Sequence, residues 1–272
     1  ANEAKATPRK QRQFIRYICN RWVTESEDTW LDPDEWRACD GIIPDHAGDR
    51  AWGGLDLSQT RDTSALCVAI WNPERSDMLD LIWRFWIPKD GILERERQWR
   101  APVRDWVAEG WITATPGNVI DYGQIRAEIS GAQFGPKGDR LKEHYPGAVC
   151  DEYDVQEIAY DPYNARELCE YQLYDQDGVP MREMRQTYAF INEPSKRFEE
   201  MVCGRKINHG GNPVAAWMAR HVVVKPDASG NIRPDKEKSR QKIDGITAAV
   251  MAVGRAIWHR NTRAQGSLFI GG

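Results

Sequence analysis

The chain has 272 residues, 41% of them hydrophobic and 12 of them tryptophan, enough for one large core or two small ones. A formal net charge of -4 excludes a global basic field, so any nucleic-acid role has to rest on local patches or on bound cations. Six scattered cysteines without a C-x-x-C pair, no apolar run of the roughly 18 residues that span a bilayer, and no G-x-x-x-x-G-K-[ST] loop exclude a zinc module, a membrane span and a phosphate-loop ATPase.

Residues 1 to about 50 mix charges, tryptophans and turn residues without sustained periodicity. "LDPDEW", with Asp32 ahead of Pro33, predicts a short capped helix, and the whole segment reads as a linker or strap whose abrupt start suggests a longer parent chain. The cysteines read as small buried hydrophobes of a reducing compartment, and the start lacks the apolar core of a signal peptide.

Strands are predicted over Trp52–Ser58, Thr63–Trp71 and Met78–Ile87, the last two apolar on both faces as in central strands, and short turns arrange them as an antiparallel meander. A single helix is expected over Glu94–Glu109, then a short strand in "WITATPG" and a helix from Tyr122 towards Phe134 capped by Asp121. Residues 135–152 read as a loop with at most a helical turn. "VQEIAYDP" is a strand ended by Pro162, and a helix over Ala165–Tyr174 makes it half of a parallel crossover, so the fold class is α/β with a mixed central sheet flanked by helices. "MREMRQT" suggests another strand, with helices following over Pro194–Lys206 and in "NPVAAWMAR". "HVVVKPDASGNIRPDKEKSRQ" has the form of a hairpin. The last helix runs over Lys242–Trp258, with Ile243, Ile246, Val250, Val253 and Ile257 at helical spacing and small Ala248, Ala249 and Ala252 that permit close packing, before a loose tail after Arg260.

Three acids stand out against this pattern: Asp56 inside the first strand, Asp161 at the end of the "VQEIAYD" strand, and Asp244 at the start of the last helix. Singly, Asp56 reads as bonding a buried backbone group, Asp161 as a turn former before proline, and Asp244 as favoured by the helix dipole. Together, they can meet at one edge of an α/β sheet, where an isolated buried carboxylate is too costly to stand without a proton, a partner or a metal. Magnesium or manganese takes such hard oxygen ligands, and a pair of these ions roughly 4 Å apart supports phosphodiester hydrolysis.

"WGGLDLSQTRDTSA", "AYDPYNA" and "KSRQKIDGITAAVMA", in that order, resemble the nuclease domain of the large terminase subunit of tailed bacteriophages, a ribonuclease H-like fold. The similarity extends to "FIRYICNRWVTESEDTWL", "GNVIDYGQI" and "INHGGNPVAAWMARHVVVKPDASGNIRPDKEKS", so that it covers roughly residues 14–258. The resemblance implies an endonuclease that cuts concatemeric double-stranded DNA during genome packaging, with little sequence preference and two divalent cations, Mg or Mn. Asp56 would bridge the ions, Asp161 and Asp244 would complete one ion's shell each, and Asp62, which falls where some members carry an auxiliary acid close to the metals, would orient a metal water. The family begins with a Walker-type ATPase domain that this chain lacks, which makes residues 1–50 a linker or strap, 51–260 the nuclease domain and 261–272 a flexible tail. The implied partners are DNA and, in a full subunit, its own ATPase domain, the portal and the small terminase subunit; the implied location is the host cytoplasm at the procapsid.

From Arg220 to Lys242, immediately before the last acid, Arg220, Lys225, Arg233, Lys236, Lys238, Arg240 and Lys242 stand against only Asp227, Asp235 and Glu237. Such a run reads equally as a solvated face and as a grip on the duplex backbone beside the metals. Lys242, within a helical turn of Asp244, is singled out to neutralise charge on the cleaved phosphate. His209 and His221 read as structural histidines, the Asp151, Glu152 and Asp154 cluster as a solvated loop, and the tryptophans as core. Two rival functions fit the same residues: a noncatalytic DNA- or portal-docking module, and a nuclease of the same fold acting on branched DNA or RNA hybrids.

Overall fold

The computed structural model describes residues 29–58, 62–133, 141, 144–163 and 165–268. Strands β1 (Arg50–Asp56), β2 (Ser64–Trp71) and β3 (Leu79–Pro88) form the expected antiparallel meander, in register from Ala51 opposite Ile70 to Asp56 opposite Ala65. On the other side of β1 lies β5 (Asp154–Tyr160), parallel to it, followed by parallel β6 (Met181–Glu183). The outer edge of β3 pairs in parallel with both β4 (Thr113–Thr115) and β7 (Ile207–Asn208). The resulting order, β4-β3-β2-β1-β5-β6 with only β2 reversed, is a ribonuclease H-like mixed sheet.

Residues alternate between the two faces of the strands, and the sheet therefore divides two cores. On one face, Trp52, Cys67, Leu81 and Phe85 pack under α7 (Tyr188–Cys203), α8 (Pro213–Ala219) and α9 (Asp244–Leu268). On the other, Leu55, Leu66, Val68 and Ile158 pack under α4 (Tyr122–Ser130), α5 (Val149–Glu152) and α6 (Glu167–Gln176). β2 is buried along both faces, which explains its unbroken apolar run. Gly54 is dictated by contact: a Cβ there would lie 2.1 Å from the Ala248 carbonyl oxygen, so only glycine lets α9 rest directly on β1.

The expected helix over Glu94–Glu109 is two helices, α2 (Ile92–Trp99) and α3 (Val103–Ala108). Arg100 turns left-handed (φ 51°) and Pro102 then removes a backbone donor, which stops the first helix. α7 begins at Tyr188, ahead of Pro194, and keeps that proline inside; the ring is accommodated because Gly254 of α9 faces it, where a Cβ would come within 2.8 Å. α4 stops at Ser130 on Gly131, whose φ of 77° caps it, so it does not reach Phe134, which lies outside the described residues. α6 has wide π-type winding, with the Asp177 N–H bonded five residues back to Gln172 at 3.0 Å. α9 continues to Leu268, through the position where a loose tail is expected.

α1 (Pro33–Arg37) has its predicted cap, with Asp32 accepting the N–H groups of Asp34 and Glu35. Around it, Trp30, Leu31 and Trp36 are buried in the α7–α9 core, and Trp30 and Trp36 both lie against Phe198. Residues 1–28 of the expected strap lie outside the described residues, as do Gln59–Arg61 of the turn after β1. No helix among the described residues is long and apolar enough to cross a membrane.

Candidate metal centre and nucleic-acid face

β1 and β5 run parallel with Leu55 opposite Tyr160, so Asp56, the last residue of β1, and Asp161, the first after β5, leave the sheet at the same edge. α9 crosses β1 where Ala248 touches Gly54, and Asp244 stands one turn earlier on the same helix, which carries it over that edge. Asp56 and Asp244 are both buried, 2% and 7% exposed. The Lys236 ammonium lies between them, 2.7 Å from Asp56 Oδ2 and 2.9 Å from Asp244 Oδ1. Gln186, in the loop after β6, ties the acids together: its side-chain amide donates to Asp56 Oδ1 (3.2 Å) and its backbone N–H to Asp161 Oδ2 (2.9 Å). Asp161 Oδ1 accepts the Tyr163 N–H at 2.9 Å, as a turn-forming aspartate does.

The Asp56 carboxyl is pushed up to about 6, chiefly by burial and further by Asp244, with Lys236 holding it lower than burial alone would. Burial also works against the charge on Lys236, but the two carboxylates outweigh it and hold the ammonium above the ordinary lysine range. A further oxygen, Asp244 Oδ2, is buried without a hydrogen-bond partner. The edge is therefore an anionic, oxygen-only cradle already built around one cation, which is the donor chemistry of a hard divalent ion. It is incomplete as it stands. No three His, Cys, Asp or Glu side chains among the described residues converge closely enough to hold a metal, because both Asp161 oxygens are turned to backbone N–H groups. Of the three acids expected at one sheet edge, Asp56 and Asp244 share the Lys236 ammonium, and Asp161 is linked to Asp56 through Gln186.

Lys236 owes its place to a locked turn. Asp235 Oδ1 accepts the Glu237 and Lys238 N–H groups, and Ser239 Oγ donates to the Asp235 carbonyl while accepting the Val223 N–H. Ahead of it, β8 (Val224–Pro226) and β9 (Ile232–Pro234) form the expected antiparallel hairpin. Arg233 donates to the Gln186 carbonyl at 3.1 Å and lies over the Tyr188 ring, so it braces the acid loop. Lys225 faces it across the hairpin; Lys238 and Arg240 are exposed. Lys242 pairs with Asp62 at 2.5 Å instead of reaching Asp56 or Asp244. This pair and the acid edge share a groove of about 390 Å³, with Lys236, Arg240, Gln98 and Trp99 among its walls. Arg220 ends α8 and lines a different pocket, with Trp36 and Arg37.

The remaining sequence readings are structural ones. His209 is buried, donating from Nε2 to the Trp36 carbonyl (2.8 Å) and accepting the Gly211 N–H on Nδ1; burial lowers its pKa. His221 bonds the Trp217 carbonyl. Asp151, Glu152 and Asp154 pair with His144, Arg84 and Arg50 respectively. Two residues at the site escape sequence reasoning: Gln186 entirely, and Lys236 except as one member of the basic run. The only local signal for the latter is the Asp235-x-x-x-Ser239 spacing that closes its turn.

A family model described as terminase large subunit, endonuclease domain, matches residues 1–136 and 140–260. The chain is 28% identical over 261 residues to the terminase large subunit of Enterobacteria phage HK97, covering 94% of this chain and 47% of that protein. It is 27% identical over 267 residues to protein YmfN of Escherichia coli (strain K12), covering 93% and 54%. The crystal structure of the HK97 bacteriophage large terminase superimposes with a TM-score of 0.71 at 26% identity, over 93% of this chain and 49% of that one. The chain thus spans about half the length of the curated relatives it matches.

Proposed function

This chain belongs to the terminase large subunit endonuclease domain family, and from that premise we propose that it cuts concatemeric double-stranded DNA during genome packaging by two-metal phosphodiester hydrolysis. The observation that carries the reading is the pair of buried carboxylates, Asp56 and Asp244, gathered around one cation at the sheet edge where Asp161 also emerges. Asp56 and Asp244 would hold divalent ions, Mg or Mn, with Asp161 joining them once its backbone bonds are exchanged. When bound, such ions would make water a better nucleophile and compensate charge at the leaving oxygen.

The protein's own part is to hold and orient. β1, β5 and α9 fix the acids, and Gln186 keeps Asp56 in register with the Asp161 loop. The Asp62–Lys242 pair walls the groove leading from the acids; Lys242 would move to phosphate when the duplex enters. Lys225, Arg233, Lys238 and Arg240 would contact the sugar-phosphate backbone, which carries little sequence information and so predicts little cut-site preference. Arg220, set apart with Trp36, is left out of that face. The nuclease unit is assigned to residues 51–260, with the preceding strap adding Trp30, Leu31 and Trp36 to its core.

Plasmid incubated with manganese and the purified protein should be nicked and linearised, and Asp56→Ala should abolish this while remaining folded. Undiminished cutting by that variant would remove Asp56 from the site. A panel of duplex, branched and hybrid substrates tests the DNA class: faster cutting of branched DNA than of duplex would replace the packaging substrate with a junction.

A further inference from the structure

The Lys236 ammonium contacts both buried carboxylates directly, at 2.7 and 2.9 Å. Asp56 Oδ2 and Asp244 Oδ1 are thereby committed to a monovalent cation that belongs to the chain. Without it, two like charges would be buried at close range, an arrangement that drives one of them to take a proton. The backbone on either side is pinned by Asp235 and Ser239. The side chain itself is not: it is 44% exposed, and among the described residues it forms ion pairs with these two carboxylates only. A four-carbon stem anchored at its root and free at its length can leave for solvent without disturbing the hairpin.

We propose that Lys236 is the resident cation of the metal-free site: it holds Asp56 and Asp244 together, competes with divalent ions for the same oxygens, and swings out when they load. The proposal rests on the reading of Asp56 and Asp244 as metal ligands. Its physical basis is exclusion. A divalent ion on those oxygens would sit within contact distance of the ammonium, where like charges repel strongly even with the screening of a protein surface. The two cations are therefore alternatives. Divalent affinity is then reduced by the fraction of molecules in which the lysine is seated, and the metal-free fold is spared the cost of bare buried acids. Lys242 has no such role, since its ammonium is engaged by Asp62 and not by the buried pair.

Calorimetric titration of the full chain with manganese tests this without recourse to activity. Lys236→Met should bind manganese on the order of tenfold more tightly than wild type, the gain expected when a competing state about nine-tenths populated is removed. Lys206→Met, which deletes a surface partner of Asp77, should keep wild-type affinity. Equal or weaker binding by Lys236→Met overturns the proposal, as does an equal gain in Lys206→Met. Should Lys236→Met fail to fold, wild-type protein decides alone: acetylation followed by mass spectrometry should find Lys236 protected without metal and labelled several-fold faster with manganese, Lys206 being unchanged. An unchanged Lys236 rate overturns the competition. If neither wild type nor variant binds manganese, the ligand assignment falls and the proposal with it; if both bind alike, only the proposal falls.

Discussion

Leu-Asp-Leu occurs twice in the meander, at Leu55–Leu57 and Leu79–Leu81, and both aspartates are buried. Their surroundings differ. Asp80 accepts from His46 Nε2 at 2.9 Å, Asn72 Nδ2 at 2.7 Å and Asn208 Nδ2 at 2.9 Å, donors delivered by the strap, the end of β2 and β7. Asp56 receives one amide at 3.2 Å and otherwise depends on the half-exposed Lys236. A buried acid saturated by fixed donors is a joint, tying residues 41–49 to the sheet. One left to a displaceable cation is a binding site, because another cation can take the same place.

Four substitutions and a pH series test how far this contrast extends, from the largest expected effect to the smallest. Asp80→Ala should cost about 3–5 kcal/mol in denaturant unfolding, since three inward donors, from His46, Asn72 and Asn208, lose their partner. A loss under about 1 kcal/mol would mean that Asp80 is no joint. Gly54→Ala should cost about 1–3 kcal/mol by forcing α9 off β1. It should also weaken manganese binding, because Asp244 moves with the helix; unaltered binding would show that the acid edge does not depend on this contact.

Gln186→Leu leaves the backbone bond to Asp161 intact and removes only the side-chain bond to Asp56, so about 0.5–1.5 kcal/mol should be lost. Cleavage should fall more than that stability change explains, and a proportionate fall would make Gln186 merely structural. Asp56→Asn, by contrast with Asp80→Ala, should stay within about 1 kcal/mol of wild type in metal-free buffer, since it removes a carboxyl that burial already disfavours. A destabilisation matching Asp80→Ala would erase the distinction between joint and site.

His209 is a third buried titratable group, neutral and bonded at both nitrogens. Burial lowers its folded pKa below the unfolded value of about 6.5. Its contribution to stability is therefore present above that value and lost as the pH falls through it towards the folded pKa. Thermal unfolding should accordingly drop between pH 7 and pH 5, with a shallower drop in His209→Gln. Equal slopes would assign the acid sensitivity elsewhere.

The meander, the crossover and the closing helix are legible because each rests on a local pattern: short apolar runs in the strands, proline after β5, small residues along α9. Asp161 and Asp244 are legible for a related reason, as acids at the ends of those elements, and Asp56 as an acid inside an apolar run, although the structure ends β1 on it. Lys242 was singled out for its closeness in sequence to Asp244. The start of α9 instead turns it to Asp62, while Lys236, further off in the chain, is folded back by the Asp235–Ser239 turn. Gln186 falls within "MREMRQT", where a strand is expected; the strand ends at Glu183 and leaves Gln186 in the loop beyond, where no pattern marks it. The break at Arg100–Pro102 was missed because the apolar spacing continues across it.

The amino-acid sequence by itself determined most of the order of the elements, the small residues that let α9 pack closely and three acids able to meet at one sheet edge, because strand and helix periods and chain direction are local properties. Only the tertiary structure decided which buried acid is saturated and which is open, and which lysine faces the open one. Hydrogen bonds and ion pairs at Asp56 and Asp80 come from residues up to 180 positions away along the chain, and two identical Leu-Asp-Leu stretches acquire different chemistry from what is folded against them.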